Sequence, residues 1–557
     1  MLFPALLLSG STASATDKPD EQFAVSAPPT NDRYTGINLA DEVFAKNSLS
    51  LLEAMTSDGD SPESSIKSKQ ACRSIGEKGC EPGKYFQYSA LLAHCDQLLT
   101  TDCVSKAFAI DASGREIIGN VVEAFPGVTP YTFAGDPSVG LPQGGSAFIV
   151  EFPGVSHQGG NQFLINVYLN GYRGFNEKQF QVENFHAGIF AISKVAGNCK
   201  APDPEPNVRP DSKLRGRAVR QGGCEKGNNN SSALACTMTS SSACALPWAL
   251  PLDIDFGLTI KLHEKIRGWL HSRLSQAQAS ITSTSDGDQL LSIQGKPTVV
   301  PGIHAWYKKD SLPAPLKSFY SKISETELNS QGAGWPSADG KIINGTDGLP
   351  YTILKEGFGY DEGGFKEVSA WINAASDKAT YAQTFWSLRS MQSSQFDTCM
   401  KGSDSLSGIV STNSTMYIGA PPTFEKESQS LDYKVMSPHS LPDGEEFKGS
   451  YDLAIKSDVA RCIYGFSSAP VSAKISILSS DGTTQVATTT FNERNGWMYL
   501  VARGFTFSSP TVRVKLIQEA AQVSVLPKKT TIACTKGKSS KKVSAINPSC
   551  PSGWKKK

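Results

Sequence analysis

Lys536, Lys538, Lys541, Lys542, Lys555, Lys556 and Lys557 are the residues whose type and crowding most plainly imply chemistry in this chain. From 528 to 557 there are nine lysines and no aspartate or glutamate, whereas the whole chain of 557 residues carries a formal charge of +1, so everything before the tail carries a net −8. Positive charge gathered at one end suits electrostatic capture of an anionic polymer by a body that stays soluble. The short runs 530–535 and 541–546, on either side of Lys536, Gly537 and Lys538, read as a hairpin with the glycine in its turn. A lone hairpin is marginal in water. Cys534 and Cys550 flank it, and closing that loop as a disulfide contributes on the order of 3 kcal/mol, enough to hold a module with almost no core. A disordered basic tail is the competing reading.

The twelve cysteines form an even set: Cys72, Cys80, Cys95, Cys103, Cys199, Cys224, Cys236, Cys244, Cys399, Cys462, Cys534 and Cys550. Many fall as near neighbours, none stands in C-x-x-C spacing, and the seven histidines show no ligand rhythm. This argues against metal fingers and dithiol redox chemistry and for structural disulfides in an oxidising compartment. Connectivity does not follow from spacing, although Cys199 with Cys224 and Cys399 with Cys462 would complete an all-paired set. No metal and no cofactor is called for.

Other candidates are weaker. His157 lies in the glycine-rich stretch GVSHQGGNQ, where an imidazole either contacts a ligand or, more commonly, bonds the backbone of the turn. Tyr360, Asp361 and Glu362 offer paired carboxylates for acid and base work on a glycan or for calcium, against the ordinary reading of a solvated turn. HEKIR at His263 is half of a metalloprotease helix motif without its second histidine. The basic run Lys213, Arg215, Arg217 and Arg220 lacks interleaved aromatics and reads as a solvated loop rather than a nucleic-acid site. G-x-S-x-G, G-x-x-x-x-G-K-[ST], G-x-G-x-x-G after a strand, H-E-x-x-H and L-P-x-T-G are all absent.

The tail pattern I-x-C-x-K-G-K-x-x-K-K-V followed by P-x-C-P-x-G-W-K-K-K resembles the C-terminal tails of large secreted cell-surface proteins of high-GC Gram-positive bacteria, the actinobacteria. Ile532, Cys534, Lys536, Gly537, Lys538, Lys541, Lys542, Val543, Pro548, Cys550, Pro551, Gly553 and Trp554 stand at the matching positions. The run from MYIGAPP through DVARCIYGF to GWMYLVARGFTF is similar to a module of the same proteins. The resemblance covers little of the chain and implies a place on or outside the cell envelope, with no chemistry attached.

The elements that must carry these residues are mostly strands. An apolar run followed by Ala13-Ser14-Ala15 reads as a signal peptide over 1–15, although no basic residue precedes it. No later stretch reaches eighteen apolar residues, so no transmembrane helix is expected. With 49 glycines and 32 prolines at 39% hydrophobic and 19% charged residues, the chain reads as globular and turn-rich, with two to four domains.

The expected fold is mainly β and multi-domain. A loose lead-in spans 16–48. An N-terminal β-rich domain spans 49–197, with a short helix at LSLLEAM and a hairpin turn at Asp111-Ala112-Ser113-Gly114. A Cys-containing, Pro, Ser and Asn-rich linker follows at 198–249. A central α+β domain over 250–408 begins with the alternation Leu252, Ile254, Phe256, Leu258, Ile260 and Leu262 and holds two helices within 367–392, the second starting at Ser376 or Asp377. An antiparallel β-sandwich spans 409–526, with Cys462 on a central strand, and the basic tail spans 527–557.

These features point to a secreted, envelope-associated protein with a binding or display role, attached through its lysine-rich tail to an anionic cell-wall polymer or surface glycan. The alternatives are an extracellular glycan-active hydrolase with its site in 250–408, or an adhesin subunit.

Overall fold

The structure is a computed structural model that describes residues 34–40, 49–57, 66–81, 83–127, 132–196, 203–204, 219–220, 238–240, 242–308, 311–321, 352–356, 358–359, 362–391, 399, 406–468, 471–478, 484–485, 487–507, 511–518 and 530–557. The apolar N-terminus, most of the 198–249 stretch, Tyr360, Asp361, Lys528 and Lys529 lie outside them.

The protein is mainly β. Its first strands are β1 (Tyr34–Ala40), β2 (Leu51–Ser57), β3 (Ile66–Cys72), β4 (Tyr85–Leu91), β5 (Cys103–Ile110), β6 (Glu116–Ile118), β7 (Asn120–Ala124), β8 (Phe148–Glu151), β9 (Gln162–Arg173) and β10 (Gln181–Ala196). The LSLLEAM stretch, expected to be helical, is β2. Paired with β3 on one edge and β4 on the other, it is an inner strand buried on both faces, which removes the polar alternation that would have marked it. The hairpin at Asp111–Gly114 is present as read: the Asp111 carboxylate accepts from the Ser113 and Arg115 backbone N–H groups at 2.9 and 3.0 Å, and β5 pairs with β6 across it.

Next come β11 (Ala243–Trp248), β12 (Asp255–Leu262), β13 (Gly268–Ser283), β14 (Gln289–Lys308), α1 (Ala314–Tyr320), β15 (Thr352–Glu356) and α2 (Glu362–Ala374). Phe365, Val368, Trp371 and Ile372 of α2 are buried with Ile37 of β1 and Ile303 of β14, the helical stripe expected from their spacing. The second helix of the sequence reading is absent. Ser376 and Asp377, at φ +58 and +56, stop α2, and the chain continues as β16 (Tyr381–Phe385) and β17 (Ser387–Ser390). In β16 the buried residues fall on every second position, a period of two that the aromatic spacing had disguised.

Strands from both sides of residue 250 share one sheet system. β5 pairs with β12, and β10 pairs with β17. Phe152, Phe163 and Phe256 meet between the layers, with ring centroids 5.2 Å apart for Phe152 and Phe163 and 5.6 Å for Phe152 and Phe256. The long strand β13 belongs to both layers. Its first half lies between β17 and the parallel strand β18 (Leu406–Thr412), and its second half pairs with β14. The switch is made at a bulge between Ser275 and Gln278, where Gln276 takes φ +59 and its N–H is capped by the Asp452 carboxylate at 2.6 Å. An extra residue at such a corner bends the strand without breaking it.

The C-terminal strands are β19 (Met416–Ile418), β20 (Ser430–Met436), β21 (Gly449–Lys456), β22 (Val471–Leu478), β23 (Thr488–Arg494), β24 (Trp497–Phe505) and β25 (Thr511–Gln518), with α3 (Ser457–Tyr464) after β21. β18, β21, β24 and β23 pair in that order, and β19, β20, β25 and β22 form a second sheet. Leu431, Tyr433, Tyr451, Leu453, Leu500, Val512 and Val514 are buried in one core fed by both. Cys462, expected on a central strand, sits on α3 instead. Asp458 lies in the first turn of that helix and Gly465 ends it in the left-handed conformation, the usual way to stop a helix; Val459, Ala460 and Tyr464 face the core.

Among the described residues, disulfides join Cys72 to Cys80, Cys95 to Cys103, Cys399 to Cys462 and Cys534 to Cys550. Cys244 is also disulfide-bonded, while Cys199, Cys224 and Cys236 lie outside the described residues. No helix among the described residues is long and apolar enough to cross a membrane.

Candidate functional site

The tail is a three-stranded sheet. β26 (Thr530–Lys536) lies between β27 (Ser539–Ala545) and β28 (Lys555–Lys556), and Gly537, at φ +61, makes the turn. The third strand, which the sequence reading did not include, is brought back by the Cys534–Cys550 bridge, and the Lys557 N–H donates to the Ala533 carbonyl at 2.9 Å. Cys534 is fully buried and its neighbours are at most half-buried, so the cystine occupies the place where a larger sheet would keep a core.

Register decides where the lysines point, because opposed residues share a face and successive residues alternate. Cys534 lies opposite both Lys541 and Lys556. One face therefore carries Ile532, Cys534, Lys536, Lys541, Val543 and Lys556. Ala533 lies opposite Lys542, and Thr535 opposite Lys555, which puts the latter two lysines on the other face. Lys538 sits in the turn and Lys557 at the chain end. All seven are exposed, and among the described residues none pairs with a carboxylate. Unpaired like charges on neighbouring strands repel one another, and an anion laid across them relieves that repulsion while gaining the attraction.

A second constellation was not legible in the sequence. Asp102 precedes β5, is 5% exposed and holds φ +50, a conformation aspartate tolerates better than most residues. Its carboxylate accepts from the His263 N–H at 2.9 Å. His263 Nδ1 lies 3.2 Å from Asp288 Oδ1, and Lys261 Nζ bridges Asp286 at 3.1 Å and Asp288 at 3.3 Å. Burial pushes the Asp102 carboxyl up to about 6, with the Asp288 and Glu264 carboxylates adding to the rise and the His263 N–H opposing it.

Because the protonated form is the one the fold prefers, Asp102 costs nothing below pH 3.8, where folded and unfolded chains both hold the proton. The cost grows as pH rises from 3.8 toward about 6 and then stays at about 3 kcal/mol. Asp102→Asn keeps an acceptor for His263 and tolerates the same backbone. It is expected to stabilise the protein by about 3 kcal/mol at about pH 7.5 and by nothing at about pH 3.5 in urea unfolding; an equal effect at both pH values contradicts this account.

The other sequence candidates resolve into structural roles. His157 Nε2 bonds the Gln162 carbonyl at 3.0 Å and Nδ1 accepts from the Gly159 N–H at 3.1 Å, so the imidazole ties its own loop; burial lowers its pKa. His186 and His271 are buried and held well below the ordinary histidine range by that burial, with His271 stacked on Tyr417. The half-motif at His263 contributes to the Asp102 cluster, and among the described residues no three His, Cys, Asp or Glu side chains converge as a metal centre. The basic run 213–220 and the paired carboxylates near 360 have no described side chains.

The chain matches no family model, no curated protein and no solved structure.

Proposed function

We propose that this protein is a secreted binding or display protein held at the outer envelope by its C-terminal module, which docks on an anionic polymer such as a wall polyphosphate or acidic glycan. The observation that carries the reading is the set of seven exposed lysines, none paired with a carboxylate among the described residues, on a cystine-pinned sheet that has no acidic residue. A flexible cationic tail would also attract anions, but each lysine would then lose more freedom on binding. A fixed sheet has that ordering done beforehand, leaving more of the attraction as affinity. Disulfides on other parts of the chain fit an oxidising compartment. The likeness of the tail to actinobacterial surface proteins points the same way.

Deletion of residues 528–557 is expected to move the protein from the cell-associated fraction to the medium when both forms are expressed in a Gram-positive host and quantified by immunoblot. Retention of the shortened chain on the cells at the full-length level would remove the tail from the attachment mechanism.

A further inference from the structure

The bulge at which β13 changes layers opens a cleft. Its volume is about 190 Å³, many times the roughly 10–15 Å³ that a single water needs. β21 and β24 supply its floor. Asp452 lies opposite Val501, and Ala454 opposite Tyr499, so these four share the face of the sheet turned away from the core that holds Leu453 and Leu500. β13 supplies a wall, with Gln276 and Gln278 exposed on either side of the buried Ala277. Arg494, the last residue of β23, lines the cleft as well, its guanidinium carbon 5.1 Å from the centroid of the Tyr499 ring. The Tyr499 hydroxyl in turn donates to the Ala279 carbonyl at 3.4 Å, which ties the floor to the wall.

Two independent features mark the same place. Gln276 holds φ +59, a region that glutamine seldom enters, and such outliers concentrate where a ligand is clamped. The Gln276 N–H is fixed there by the Asp452 carboxylate at 2.6 Å. Asp452 is only 6% exposed, yet it lines the cleft. Its other oxygen is ion-paired with Arg503, whose guanidinium also donates to the Ser275 hydroxyl at 3.3 Å. A carboxylate has about four acceptor sites, so these partners leave capacity for a hydroxyl arriving from the cleft.

We propose that this cleft binds one pyranose unit of a glycan, at a site separate from the lysines of the tail. A sugar ring presents C–H groups on its faces and hydroxyls around its edge. Ala454 and Val501 offer the apolar contact, while the Asp452 carboxylate, the Gln276 and Gln278 amides and the Arg494 guanidinium surround it with acceptors and donors. Hydroxyls, each both donor and acceptor, satisfy that mixture. An apolar ligand would leave the carboxylate and the amides without partners, and a phosphate would lie against Asp452. Beyond the cleft the same sheet face continues with exposed Thr490 and Asn492, opposite Val501 and Tyr499, a polar track for the sugars that follow the first.

The test is ligand-detected nuclear magnetic resonance of the full chain with methyl glycopyranosides of gluco, galacto, manno and 2-acetamido configuration. Saturable binding of at least one of them is expected, with Kd on the order of 1 mM for a ligand of so few atoms. Gln278→Ala and Arg494→Ala should each weaken it about threefold to tenfold. Gln276→Gly should weaken it as well while leaving the protein at least as stable to urea, because glycine takes the left-handed conformation without strain. Lys541→Gln/Lys556→Gln, distant in the tail, should change it by less than about twofold, so failure of this site and failure of tail docking are read separately. Circular dichroism establishes that each variant is folded; if Gln276→Gly is not, the exposed Gln278→Ala and Arg494→Ala decide. No saturation by any of these sugars up to about 20 mM, or binding that survives every cleft variant, overturns the site; binding lost with the tail lysines overturns it too and assigns the sugar to the tail.

Discussion

Replacement of Trp386 by alanine is expected to cost about 5 kcal/mol of stability, the largest effect of any single substitution considered for this protein. Trp386 joins β16 to β17, is 1% exposed, and its indole N–H lies 3.0 Å from the carbonyl oxygens of both Phe256 and Gly295. Those residues face each other across β12 and β14, in the opposite layer from β10, whose Ile189 N–H donates to the Trp386 carbonyl at 3.1 Å. One side chain therefore bolts the two layers together. Removing it loses the buried area, opens a cavity and deprives two buried carbonyls of a donor. Trp386→Phe separates the parts: it keeps most of the volume but not the N–H, and is expected to cost about 2 kcal/mol. Urea unfolding followed by far-ultraviolet circular dichroism measures both. A loss below about 1 kcal/mol in the alanine variant would mean that the layers do not depend on this contact.

Local patterns carried the hairpin tail into view: two short β-prone runs, a glycine between them and a cysteine on either side are all contained within 527–557. Near-neighbour spacing likewise suggested, without fixing, the bridges of Cys72 with Cys80 and of Cys95 with Cys103, and alternation marked β12 from Phe256 to Leu262, whereas Leu252, the first residue of that pattern, precedes the strand and is 47% exposed, and Thr259, read as solvent-facing, is buried. Long-range environment hid the rest. LSLLEAM is apolar on successive residues because β2 is an inner strand buried on both faces, and a short apolar run is indistinguishable from a buried helix by periodicity. The aromatics of 376–392 fit a helical wheel, yet two left-handed residues at Ser376 and Asp377 divert the chain into strands. Asp102 has no motif around it, since its hydrogen-bond partner lies 161 residues away. Chemistry assembled from one segment was legible; chemistry assembled from several was not.

The second large effect concerns the tail, and it gives the most direct test of the central claim that its lysines bind an anionic polymer as a set. Seven lysines engaging phosphodiester charges release counterions on binding, so affinity should fall by about 10³-fold between about 50 and 200 mM sodium chloride, taking the single-strand value of about −0.7 per contact for the log–log slope. The measurement is the affinity of the full chain for poly(glycerol phosphate) across that salt range, beside a chain ending at residue 527 and a Lys541→Gln/Lys556→Gln variant that keeps the cystine but loses the two lysines flanking Cys534. A steep slope for the full chain, a slope shallower by about 1.4 for the double variant and no measurable binding for the shortened chain are the results expected. Binding that is indifferent to salt, or equally tight without residues 528–557, would contradict it.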